Sequence, residues 1–163
     1  MTIHADKGSN TPAPLSSPDL KSLVKLVLMS TGVKLNEGAA KKGFVSLPQA
    51  DLYIDCRGIK EKGLHAKGTG ADVAFQEAVQ EASQTALEAI YALIVEGAKK
   101  IPDRRGEKAE PFKEPFRVCF FCAWGIHRSV ATKHLLGRRL KMEGWQVAIE
   151  NESDVNGYYG LLM

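Results

Sequence analysis

Apolar residues come along this chain in short bursts of two kinds, some alternating with polar neighbours and some recurring at intervals of three and four. The first burst, Leu20, Leu23, Val24, Val27 and Leu28 in and before SLVKLVLMST, fits both a helical stripe and a buried strand, and its periodicity does not choose. Farther on, ADLYIDC sets Leu52 and Ile54 against Tyr53 and Asp55 and runs out at Arg57 and Gly58, as a strand entering a loop does. The loop RGIKEKGLHAKGTGAD holds four glycines and closes on Asp72, a good N-cap for the next element. Val79, Ala82, Ala86, Ile90, Leu93 and Ile94 then keep helical spacing through an Ala-rich stretch from Val73 to Lys100, with Pro102 beyond it. This predicts one long helix or two short ones. After the charged loop PDRRGEKAEPFKEP, RVCFFC predicts a strand, SVATKHLLGRRLKMEG a helix ending at Gly144, and WQVAIE a last strand.

Strand, helix, strand, helix, strand is the order of an α/β fold, a single-domain sandwich with a mostly parallel central sheet and flanking helices. Ligands in such sheets sit beyond the carboxyl ends of the strands, where DCRG and FCAWGIHRS both fall. Residues 1–18, rich in Gly, Ser, Thr and Pro, read as a flexible leader, 19–155 as the domain and 156–163 as a short tail.

Composition changes this picture little. A chain of 163 residues, 44% hydrophobic and 25% charged, suits one globular core. Its longest apolar run, LVLM, is too short to cross a bilayer, and MTIHADKGSN has no signal-peptide core, so the expected location is the cytoplasm. Three cysteines without framework spacing are expected as free thiols in a reducing compartment. A net charge of +3 permits phosphorylated ligands or nucleic acid without demanding either.

The chemistry gathers in VCFFCAWGIHRSV. If Cys119 lies inside a strand, it and Cys122 project to opposite faces, so the CxxC is neither a metal grip nor a redox pair, and Cys119 belongs to the core. Cys122 stands where the strand ends. The loop then turns into a helix at Ser129, whose hydroxyl is placed to cap the first turn, while Arg128 adds a planar fork of donors. Backbone N–H groups at a helix start, with the positive end of the dipole, make a site for phosphate and favour a Cys122 thiolate. Cys, five residues, Arg and Ser is also the spacing of protein tyrosine phosphatases, and IDCR with a later Cys loop is similar to rhodanese sulfurtransferases. Against the phosphatase, bulky Trp124 and Ile126 flank the only glycine of the loop, Gly125, and no Asp stands in a recognisable acid loop; against rhodanese, the connection between DCR and the Cys loop lacks a short glycine-histidine motif.

YIDCRG, KGTGAD and VCFFCAWGIHRSVATKHLLGRRL, in this order over residues 23 to 150, resemble the C-terminal domain of the RapZ family of RNase adapter proteins. Ala123 and Trp124 stand where that family has Thr and Gly, and ENESDV where it has a basic stretch. The resemblance implies that KLVLMSTG is the opening strand. It implies an α/β domain that binds a phosphorylated ligand, glucosamine-6-phosphate in RapZ, and takes part in binding small RNA. Carried over by position, the ligand residues are Cys122, Gly125, His127, Arg128 and Ser129 in the loop, Thr69, Gly70 and Asp72 in the TGxD turn, and Asp55 and Arg57 at the strand end. Each has a plainer reading: Arg57 paired with Asp55 or Asp72, and Thr69 and Gly70 as a simple turn.

On the helix after the loop, Ala131, Leu135, Leu136, Leu140 and Met142 define an apolar arc, with Lys133, His134, Arg138 and Lys141 on the other side. Lys133, Arg138 and Lys141 are the candidates for RNA phosphates, against an ordinary solvated face. Trp145 is expected to pack at the start of the last strand. The expected function is therefore a regulatory module holding a phosphorylated metabolite or nucleotide. RNA is a further candidate partner, self-association stays open, and neither a membrane nor a cofactor or metal is implied. The alternative is an enzyme with Cys122 as nucleophile and Arg128 as anion binder. No GxxxxGK[ST] occurs, so a Walker-type ATPase is not expected.

Overall fold

The computed structural model describes residues 20–33, 47–61, 69–101 and 114–150. The leader, the tail, His65, all of ENESDV but Glu150 and most of the charged loop lie outside the described residues. Strands β1 (Lys25–Gly32), β2 (Leu52–Asp55), β3 (Phe116–Cys122) and β4 (Gln146–Ile149) form one sheet in the order β2-β3-β1-β4. All three pairings are parallel. The ambiguous first burst thus divides: Leu20 and Leu23 lie in a single helical turn, and Val27 and Leu28 in a central strand. Leu26 to Met29 are buried on both faces, which is why its pattern did not alternate.

The helices are α1 (Leu20–Leu23), α2 (Val73–Ala82), α3 (Gln84–Lys99) and α4 (Arg128–Met142). The crossovers β2-α2-α3-β3 and β3-α4-β4 step along the sheet in the same direction, and right-handed connections then place their helices on one face. On that face Leu26, Leu28, Val118 and Phe120 pack with Phe75, Val79, Leu87, Ile94, Leu136 and Leu140. Val27, Met29 and Cys119 form a separate buried cluster on the other face. Gly137 lets α4 approach the sheet, since a Cβ there would press on Ile149 Cδ1 at 2.7 Å.

The Ala-rich stretch is two helices, broken at Ser83 (φ −129°, ψ 27°). Ser83 Oγ accepts a bond from Lys60 N–H at 2.7 Å and donates one to Lys60 O at 2.9 Å, which holds the break against the end of β2's loop. The break resets the helical phase. Leu87, Ile90, Ile94 and Ala98 are the buried residues of α3, whereas Leu93, expected in the stripe, is 54% exposed.

Two expectations for α4 are corrected. Met142 is 88% exposed because it lies in the last turn, past the end of the contact with the sheet. Lys133, expected on a solvated basic face, is 1% exposed. Its ammonium donates to Ser30 Oγ at 2.9 Å and Glu150 O at 3.1 Å, so it links β1 to the end of β4 and is not available to RNA. Trp145 is buried as expected, immediately before β4. Among the described residues no helix is long and apolar enough to cross a membrane.

Candidate functional site

The chain leaves β1 toward the β2 edge and β3 toward the β4 edge, and these two strands are neighbours. Their carboxyl ends, with Gly32 opposite Cys122 in register, therefore flank a topological switch point, where open α/β sheets leave a crevice. The loop Ala123 to His127 lies over it. Two glycines permit this approach: Gly125 has φ +71°, in the left-handed region, and a Cβ on it would collide with the backbone of Thr31 and Gly32, as one on Gly32 would with the backbone of Trp124 and Gly125.

The loop folds back on the sulfur of Cys122. Gly125 N–H donates to Sγ at 3.2 Å, and the Ser129 hydroxyl lies 3.2 Å from it. Burial raises the Cys122 thiol, but the Ser129 hydroxyl and the N–H groups of Ser129, Gly125 and Trp124 outweigh it, leaving the thiol below its ordinary range. Ser129 is therefore not the cap expected of it. His127 holds the N-cap position without a side-chain cap bond, and Ser129 is fully buried in the first turn with its hydroxyl turned to the sulfur.

The other predicted residues arrive from two sides. Asp55 and Arg57 form a bidentate pair, with Arg57 Nε 2.9 Å and Nη2 2.7 Å from the carboxylate oxygens. Arg57's hydrogen bond is the main reason the Asp55 carboxyl lies below its ordinary value. The Arg128 guanidinium donates through Nη1 to the carbonyl oxygen of Arg57, joining the loop to the end of β2. From the opposite side, Gly70 N–H donates to Ile126 O at 2.8 Å, and any side chain at Gly70 would strike the backbone of His127 and Ala131. Asp72 stands at the N-cap position of α2, but its carboxylate accepts from Thr69 N–H at 2.6 Å and caps nothing, so it tightens the TGAD turn. The Thr69 hydroxyl accepts from Ala71 N–H at 3.2 Å. His127 turns its ring to Phe75, centroids 5.7 Å apart.

Of the helical candidates, Arg138 donates through Nη1 to Gln76 Oε1 at 2.6 Å, and Gln76 in turn donates to Gly70 O at 2.9 Å. Lys141 is exposed in the last turn of α4. Two residues escaped the reading of the sequence. Gln76 is a buried amide on a helix, with nothing in the local pattern to mark it. Cys56 follows β2, and its alternation with Ile54 carried the signal: it is fully buried next to Cys122. No group of three or more His, Cys, Asp or Glu among the described residues is placed to hold a metal ion.

No family model matches this chain. Over 107 residues it is 36% identical to a protein of Jannaschia sp. (strain CCS1) named "Nucleotide-binding protein", a match that takes in 61% of this chain and 30% of that protein. The chain thus spans less than a third of the length of this relative.

Proposed function

We propose that this domain binds a phosphorylated small molecule, a nucleotide or a sugar phosphate, with the phosphoryl group over the loop Cys122 to Ser129. The observation that carries the reading is the convergence of N–H groups at the start of α4, above the switch point, with the Arg128 guanidinium and the Arg57–Asp55 pair at the rim. Helix starts favour anions through their N–H groups and the dipole. The name of the Jannaschia relative puts nucleotides first among the ligands to try, and the likeness of motif order to RapZ C-terminal domains adds sugar phosphates and short RNA. With Lys133 buried, Arg138 and Lys141 are the remaining candidates for RNA contact on α4.

The test is thermal unfolding of the full chain with inorganic phosphate, nucleotides, sugar phosphates and a short RNA. A ligand at 100 times its Kd adds about 2.7 kcal/mol. For a chain of this size that raises Tm by roughly 5 to 10 °C. Arg128→Ala is expected to abolish the shift; no shift with any phosphorylated compound overturns the reading.

The lowered Cys122 thiol, bonded by Ser129, favours a second reading, a cysteine-dependent phosphatase or sulfurtransferase with Cys122 as nucleophile. Aryl phosphate hydrolysis and thiosulfate sulfurtransfer at the same background rate in the parent and Cys122→Ser exclude it.

A further inference from the structure

Cys56 and Cys122 are brought together by the sheet itself. The β2–β3 register pairs Asp55 with Phe121, and Cys56 N–H continues the ladder with a 2.7 Å bond to Phe121 O, so the next pair in step is Cys56 and Cys122. Neighbouring strands lie about 4.7–4.9 Å apart, inside the 4.4–6.8 Å range of Cα separations that disulfides bridge. Both side chains belong to the same core cluster and so project to the same face. Cys119, three residues before Cys122, faces the other way among Val27 and Met29.

The two thiols are held differently. Cys122 keeps 3% of its surface in solvent and has its sulfur bonded by Gly125 N–H and Ser129. Cys56 keeps none, and its sulfur lies 3.7 Å from Ile54 O. One thiol is thus set up to ionise and meet a small oxidant from the loop, and the other waits beside it as a neutral thiol. This is the arrangement of an attacking and a resolving cysteine.

We propose that Cys56 and Cys122 are a reversible oxidation site, in which a peroxide converts Cys122 to a sulfenic acid and Cys56 resolves it to an intramolecular disulfide. The Cys122 thiolate attacks one oxygen of hydrogen peroxide, the O–O bond breaks, and the departing hydroxide takes a proton to become water. The Cys56 sulfur then attacks the sulfenic sulfur, the S–O bond breaks, and the second water leaves with the Cys56 proton. Two thiols lose two electrons, and one peroxide is reduced to two waters. The disulfide ties the loop to the end of β2 and removes the thiolate from its ring of donors. The site needs neither bound phosphate nor turnover, so it stands apart from the function proposed above.

The full chain, reduced and then treated with hydrogen peroxide, is quenched with iodoacetamide, digested and mapped by mass spectrometry. A peptide pair linking Cys56 to Cys122 is expected, reversed by dithiothreitol, with thiols titrated in denaturant falling from three to one, the survivor being Cys119. In Cys56→Ser, dimedone is expected to trap the Cys122 sulfenic acid; in Cys122→Ser, all remaining thiols are expected to survive. The link in the parent protein decides the matter if either variant fails to fold. The proposal is overturned if the folded parent keeps three thiols, if Cys122 proceeds to sulfinic acid with Cys56 unlinked, if Cys119 enters the disulfide, or if the link joins two chains.

Discussion

At the scale of single residues, Cys122 and Lys133 show how far a side chain's behaviour departs from its type. A buried cysteine ordinarily becomes a poorer acid, as Cys56 does, pushed up to about 12. Cys122 goes the other way because a hydroxyl and three N–H groups point at its sulfur. With its value lowered on folding, the stability it adds is present above the unfolded thiol's value and is lost as pH falls through the folded one. The rate of Cys122 alkylation against pH is expected to have its midpoint below that of an ordinary thiol. Ser129→Ala is expected to move that midpoint upward; an unchanged midpoint would show that Ser129 does not hold the thiolate. The candidate residues were largely readable, because C-x5-R-S and TGAD are local patterns. The burial of Lys133 was not, since it depends on Ser30 and Glu150, residues distant in the chain.

At the scale of elements, the break between α2 and α3 illustrates what periodicity leaves open. Ala and Leu allow a continuous helix through Ser83, and only the hydrogen bonds to Lys60 decide the break. Ser83→Ala removes both and strands a backbone pair in a part-buried position, at a cost of about 1 to 3 kcal/mol. Urea denaturation is the measure, and a loss under about 0.5 kcal/mol would place the cause of the break elsewhere. Across α3 and α4, Arg139 stacks on Tyr91 at 3.7 Å and meets Glu88 at 2.7 Å, but these groups are partly exposed and such pairs add little. These helices and α2 stay together through Val79, Leu87, Leu136 and Leu140.

At the scale of the whole molecule, the sheet separates two environments for thiols. Cys56 and Cys122 lie on the helix-covered face and Cys119 on the other, where burial pushes its thiol up to about 11. A value raised on folding contributes stability that is intact below the unfolded thiol's value, about 8.5, and fades as pH climbs toward 11. Cys119→Val fills the same space with an apolar group and is expected to change stability at pH 7 by less than about 1.5 kcal/mol. Its unfolding free energy is expected to fall less steeply than the parent's between pH 8.5 and 10. Parallel alkaline limbs for the two proteins would show that Cys119 titrates no differently when folded.

The α/β class, the elements after the first burst and the position of the loop after a strand were legible in the chain, because each rests on contacts within a few residues: alternation, helical spacing, glycine and proline. Local pattern also put Cys119 and Cys122 on opposite faces. What only the tertiary structure decided is which strands are neighbours. The order β2-β3-β1-β4 makes the ends of β1 and β3 a switch point, lays Arg128 on the carbonyl of Arg57, packs Gly70 against Ile126 and sets Cys56 beside Cys122. Those pairings join residues more than fifty positions apart, and no local preference carries information over that distance; packing of the whole sheet and its helices selects them.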